Sequence, residues 1–230
     1  MRASTIARFL AALSVVGTLA TAGIAVAGSA SAATCSDVDV VFARGTGEAA
    51  GLGIVGGPFV RSLTADLPGR TVTSYAVNYA ANTAQTSAGP GATDMTNHVT
   101  SVAAACPQTK FVLGGYSQGA TVTDIALGIR TGTTSGTAIP AVLSDRVAAV
   151  VVFGNPLGLQ RQTIATASPT YGPRSRDFCN TGDPVCGNGF NIGAHLTYAS
   201  NGSTTQGAQF AADLVLASAP TPPTTPPTTP

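Results

Sequence analysis

Hydrophobic and polar positions divide this chain into alternating segments of two kinds. Short, nearly unbroken apolar and β-branched runs end at glycine or proline or open onto a turn: Val38 to Gly45 (VDVVFARG), Lys110 to Tyr116 (KFVLGGY) and Arg146 to Pro156 (RVAAVVVFGNP). Runs of this length and composition predict buried strands. Thr71 to Tyr79 (TVTSYAVNY) alternates and predicts another strand, and residues 177–180 a short fifth. The segments between them read as helices over Val55–Leu67, Ala92–Ala105 and Gln118–Arg130, with a weaker one over Leu159–Ala167. A last helix is predicted over Gln206–Ala217, where FAADLVL offers an apolar face. Strand and helix in turn imply a mostly parallel sheet with helices on both faces, and continuous apolar strands fit burial from both sides. The chain carries no internal repeat.

Both ends of the chain depart from this pattern. Arg2 and Arg8 precede an apolar run from Phe9 to about Ala27, which closes in the small residues AGSASAA. This is the layout of a secretory signal cleaved after Ala32 or Ala33, with a retained membrane anchor as the alternative. From Pro220 the chain reads PTPPTTPPTTP. Such a tail has no apolar side chains to bury, and its prolines favour an extended, solvated conformation. It is expected to be disordered, a linker or cell-wall tether and a candidate for O-glycosylation. The expected organisation is a signal over 1–33, one domain over 34–218 and a disordered tail over 219–230.

Charge narrows the partners. Of eleven Lys and Arg, two leave with the signal, and the remaining nine face ten Asp and Glu. A nearly neutral chain has no electrostatic footprint for nucleic acid. The stretch RGTGEAAG (Arg44 to Gly51) is not a dinucleotide loop, because its third glycine falls one position late and no acidic residue follows at the required distance. The four cysteines, Cys35, Cys106, Cys179 and Cys186, would meet an oxidising space in an exported chain, which predicts two disulfides. Three pairings are open. Cys179 and Cys186 are near enough in sequence to close a small ring, which would leave Cys35 to Cys106; loop entropy assigns about 2.5 kcal/mol to the small ring and about 4.4 to the large one.

Candidate chemistry centres on Gly115-Tyr116-Ser117-Gln118-Gly119. Alone this pattern carries little weight in a chain rich in Gly and Ser. Here it follows a predicted strand and precedes a predicted helix, the context in which a sharp turn pushes a serine hydroxyl outward as a nucleophile. A serine of this kind needs a histidine and a carboxylate later in the chain. There are two histidines; His98 precedes Ser117 in a predicted helix and reads as a packing residue, which leaves His195. Five aspartates follow Ser117: Asp124, Asp145, Asp177, Asp183 and Asp213. Asp124 lies in the helix after the turn, Asp145 beside Arg146, Asp177 inside the fifth strand, and Asp213 beyond His195. Asp183 lies inside CNTGDPVC, where a closed ring would mount a carboxylate rigidly. Ser117 would attack an ester carbonyl, His195 would carry its proton to the leaving alcohol, and Asp183 would hold the imidazole. The amide of Gln118 and the loop carrying Thr46 are the candidate oxyanion donors. No metal or cofactor is called for. Turnover is expected to fall on acidification, with a midpoint on the order of pH 6 to 7 as histidine protonates.

The pieces FARGTGE, GGYSQGATV, CNTGDPVC and HLTY, in that order across nearly the whole domain, resemble the cutinase family of serine esterases, in its actinobacterial form. The resemblance implies a five-stranded α/β-hydrolase sheet with no large lid. It implies the triad Ser117, Asp183 and His195, oxyanion donors at Thr46 and Gln118, and disulfides Cys35–Cys106 and Cys179–Cys186. Many relatives carry Ser at Thr46 and Asp at Asn155; the second difference is expected to affect only a turn. Val185, Phe190, Ile192 and Leu196 flank His195 and are candidates for an apolar rim that takes an acyl chain. A secreted monomer acting on short- to medium-chain acyl, lipid or polyester esters is the expected function. The alternatives are an acetylxylan-type carbohydrate acetylesterase, against which the lack of tryptophan weighs, and a non-catalytic secreted surface protein or antigen.

Overall fold

The computed structural model describes residues 35–218; the expected signal and the Pro/Thr-rich tail lie outside the described residues. Five parallel strands form one sheet: β1 (Val38–Ala43), β2 (Val72–Ala76), β3 (Lys110–Tyr116), β4 (Val147–Phe153) and β5 (Ser175–Phe178), in the order β2-β1-β3-β4-β5. The helices are α1 (Gly53–Asp66), α2 (Ala88–Ala105), α3 (Gln118–Ala126), α4 (Ile164–Ala167), α5 (Ile192–His195) and α6 (Ser203–Ala217). Among the described residues no helix is long and apolar enough to cross a membrane.

Every residue of β1 and β4 is buried, because each face of these strands meets its own core. Val41, Phe111, Leu113, Val150 and Val152 pack with α2 and α3 residues such as Met95, Val99, Val122 and Ile125. Val40, Phe42, Val112, Val151 and Phe153 pack on the other face with Phe59 and Leu63 of α1 and Ala208 and Ala212 of α6. The edge strand β2 is partly exposed, which explains why its sequence alternates while the inner strands read as solid apolar runs.

Local chemistry moves several boundaries. The second helix starts at Ala88, ahead of the expected Ala92, because Pro90 falls within the first turn, where its missing N–H has no intrahelical acceptor to lose. The third stops at Ala126, short of Arg130: Gly128 turns left-handed at φ +78°. The weak helix over Leu159–Ala167 divides into a 3₁₀ turn at Pro156–Gln160 and α4, with Arg161 between them at φ +57°.

The strand order fixes where a ligand goes. Connections leave β1 toward β2 and leave β3 toward β4, so the order reverses between β1 and β3. Ligands of open α/β sheets bind outside the carboxyl ends of the strands at such a point. Ser117 follows β3 directly, and Thr46 lies in the loop after β1.

Candidate active site

Ser117 joins β3 to α3 with φ +56° and ψ −120°, a conformation that costs a non-glycine residue about 1–3 kcal/mol and is held only by its surroundings. Those surroundings are tight. The Ser117 amide donates to the Phe153 carbonyl at 2.9 Å. A β-carbon on Gly115 would strike the Gly119 carbonyl, and one on Gly119 would strike that of Ala43, so both flanking glycines are required by close backbone approach. The turn leaves Ser117 half-buried at the sheet's carboxyl end.

The same end gathers the other candidates. His195, the last residue of α5, sets Nδ1 at 2.8 Å from Asp183 Oδ2. Asp183 is fully buried in the eight-residue ring closed by the Cys179–Cys186 disulfide. Its Oδ1 accepts the Val185 amide at 2.7 Å and its Oδ2 also accepts the Tyr198 hydroxyl at 2.6 Å. The imidazole stacks on the Tyr116 ring at a centroid distance of 4.9 Å, and the Tyr116 hydroxyl donates to the His195 carbonyl at 2.9 Å. Burial, with the negative charge of Glu48 and Asp183 nearby, pushes the Tyr116 phenol up to about 12. The imidazole also lies against Gly154, where an added β-carbon would sit 2.6 Å from His195 Cε1. His195 therefore packs against Tyr116, the neighbour of Ser117, and against Gly154, the neighbour of the Phe153 that binds the Ser117 amide. In this arrangement no hydrogen bond joins the imidazole to the Ser117 hydroxyl, a contact that commonly tightens only when substrate is bound.

The oxyanion candidates are linked by a residue that the sequence does not single out. Gln85 Nε2 donates to Thr46 Oγ1 at 2.9 Å, and its Oε1 accepts Gln118 Nε2 at 2.8 Å. Gln85 has φ +59° and Ala81 φ +49°, a second strained segment beside the first. The Gln118 side chain is buried and also bonds to the Asn82 carbonyl and the Ser87 hydroxyl. Its amide heads α3 and is one of the donors a helix start leaves unpaired. Glu48 braces the β1 loop by accepting the Gly45 amide at 2.5 Å and the Ile54 amide at 2.8 Å, while Arg44 binds the Glu48, Val77 and Tyr79 carbonyls.

Of the rim candidates, Phe190 is wholly exposed and Ile192 and Leu196 are exposed, all close to His195 in sequence, whereas Val185 is half-buried and acts through its amide. His98 lies away from this end: it pairs with buried Asp39 at 2.7 Å and stacks on Tyr75. Cys35 and Cys106 form the second disulfide. Asn155 does more than shape its turn. Its Oδ1 caps the following 3₁₀ segment at Leu157, and its Nδ2 bridges Asp124 at 3.2 Å and Asp177 at 3.0 Å. Burial raises both carboxyls, with the charge of Asp177 adding to the effect on Asp124.

A five-stranded parallel sheet with helices on both faces and a strained serine between its third strand and the next helix defines the α/β-hydrolase class. Comparison with known proteins narrows this. The Cutinase family model matches residues 34–215. A "Cutinase" of Kineococcus radiotolerans is 73% identical over 197 residues, covering 85% of this chain and 66% of that protein, so the chain spans just under two thirds of that relative's length. A "Probable carboxylesterase Culp3" of Mycobacterium tuberculosis is 46% identical over 179 residues, 76% of this chain and 68% of that one. The solved structure of an acetylxylan esterase superposes with a TM-score of 0.70 at 25% identity, covering 79% of this chain and all of that one. The chain belongs to the cutinase family.

Proposed function

We propose that this protein is an exported serine esterase that hydrolyses carboxylic esters of short- to medium-chain acyl groups, lipids or polyesters through Ser117, His195 and Asp183. The observation that carries the reading is the buried Asp183–His195 pair packed beside the strained turn at Ser117. His195, its Nδ1–H held by Asp183, offers Nε2 as base. It takes the Ser117 proton as Oγ attacks the ester carbonyl, then returns that proton to the departing alcohol. The carbonyl oxygen, now an anion, is received by the Gln118 amide and by the Thr46 amide and hydroxyl. Thr46 Oγ1 already accepts from Gln85, so its own proton is free to turn toward the oxyanion. Water then cleaves the acyl-enzyme with His195 again as base. Two disulfides suit an oxidising, extracellular setting.

The likeness to an acetylxylan esterase favours a second reading, removal of acetyl groups from a carbohydrate. The exposed Phe190, Ile192 and Leu196 favour acyl chains over a sugar. One set of assays tests both: Ser117→Ala abolishes turnover of p-nitrophenyl esters and covalent labelling by an organophosphonate without unfolding, and the wild type turns over butyryl and longer esters faster than acetyl ones. Turnover retained by Ser117→Ala would place the nucleophile elsewhere, and a preference for acetyl on wild type would turn the substrate assignment to carbohydrate.

A further inference from the structure

We propose that Tyr198 is a positioning residue of this site: its phenol completes the hydrogen-bond shell of Asp183 and so sets how strongly the carboxylate pulls on His195. The proposal rests on the triad reading above. Asp183 Oδ2 takes two donors, His195 Nδ1 at 2.8 Å and the Tyr198 hydroxyl at 2.6 Å. Both draw on the charge of one oxygen in a fully buried site, where neither is replaced by water. The phenol is itself polarised, because its oxygen accepts the Asn180 amide at 3.0 Å. It is also held in place. Tyr198 has no exposed surface, and its ring meets those of Phe153, Tyr116 and His195 edge to face at 6.0–6.1 Å. Burial and the Asp183 hydrogen bond raise the phenol above its ordinary range, so it keeps its proton at neutral pH.

The titratable groups facing this centre are few. Tyr116 comes from β3, Glu48 acts from the β1 loop, and Asp183 and His195 are the pair itself; Cys179 and Cys186 are joined and do not titrate. Tyr116 is a built-in control. Its hydroxyl binds the His195 backbone carbonyl and not the carboxylate. Without the Tyr198 hydroxyl, Oδ2 would serve His195 alone. The carboxylate would become more basic, favour the protonated imidazole and lose one of its three anchors. A neutral base would then be available only at higher pH, and the imidazole would be aimed less firmly.

The test measures kcat and KM for a soluble p-nitrophenyl ester against pH on wild type, Tyr198→Phe, Tyr116→Phe and Ser117→Ala, beside the low-field proton resonance of His195 Nδ1–H. In Tyr198→Phe, kcat falls about tenfold with KM within about twofold, and the acid limb of the profile moves up by about half a pH unit or more. The Nδ1–H resonance shifts with it, while Tyr116→Phe leaves the limb in place. An unmoved limb in folded Tyr198→Phe, with Ser117→Ala inactive, overturns the role of Tyr198 and leaves the triad standing; an active Ser117→Ala overturns both. If Tyr198→Phe does not fold, 3-fluorotyrosine at position 198, a more acidic phenol and stronger donor, moves the limb to lower pH, and an unmoved limb there overturns the proposal.

Discussion

Gly154 shows how narrowly single residues are specified around His195. Its φ is +58°, and a β-carbon there would come within 2.6 Å of His195 Cε1 and 2.8 Å of Nδ1. Alanine would therefore add backbone strain of about 1–2 kcal/mol and also displace the imidazole. On the role proposed for His195, Gly154→Ala is expected to lower kcat by about 10²-fold, the usual consequence of misplacing a reacting group by about 1 Å, with only a modest fall in melting temperature. Steady-state kinetics beside calorimetry decide the matter; near-normal kcat would mean that the ring has room the structure does not show. Residues of this kind differ in how legible they are. Ser117 announces itself, because a strained turn needs small neighbours at fixed offsets and a strand and helix on either side. Gly154, Gln85 and Tyr198 do not, because their importance lies in which distant atom they meet. Gln85 sits in a polar loop with nothing to distinguish it from Asn82 or Thr86 until the loop path brings it between Thr46 and Gln118.

At the scale of elements, the ring from Cys179 to Cys186 is the mount for Asp183 and is itself pinned to the His195 segment. Asn180 Nδ2 donates to the Ala194 carbonyl at 2.7 Å, and the Asn191 amide to the Gly182 carbonyl at 2.9 Å. The other disulfide, Cys35–Cys106, lies at the opposite end of the strands, just before β1 and just after α2. The two should therefore separate stability from catalysis. Replacing Cys179 and Cys186 by serine is expected to cost about 2.5 kcal/mol and to lower kcat, because the carboxylate loses its fixed direction. Replacing Cys35 and Cys106 is expected to cost more, about 4.4 kcal/mol, and to leave kcat per folded molecule unchanged. Equal effects on kcat would refute this division. The inner strands are legible because burial on both faces leaves them almost wholly apolar; the exception inside β1, Asp39, is buried against His98. Helix ends are less so: Arg161 breaks the segment over Leu159–Ala167 through a left-handed backbone that its side chain does not advertise.

For the whole molecule, the polar knot beneath the site makes stability depend on pH. Asp124 of α3, Asn155 after β4 and Asp177 of β5 tie three elements together, and one amide serves both carboxyls, that of buried Asp124 and that of half-buried Asp177. Asp124 is wholly buried, and its Oδ2 has no hydrogen-bond partner. Burial raises Asp124 well above the ordinary carboxylate value and Asp177 above it as well. The sign follows directly. Between the unfolded value of about 3.9 and the raised folded value, the folded state binds more protons than the unfolded chain, so stability falls as pH rises through that window. Asp124→Asn removes the ionisation but keeps an oxygen that Asn155 can bind. The variant is expected to gain stability over wild type progressively from about pH 4 upward, and to differ from it by a constant amount below that range. Asp177 is unchanged, so the pH slope shrinks without vanishing. Melting temperatures of both proteins from acid to mildly alkaline pH provide the check. Parallel curves would mean that Asp124 holds no extra proton, and that the knot joins the three elements without coupling their stability to pH.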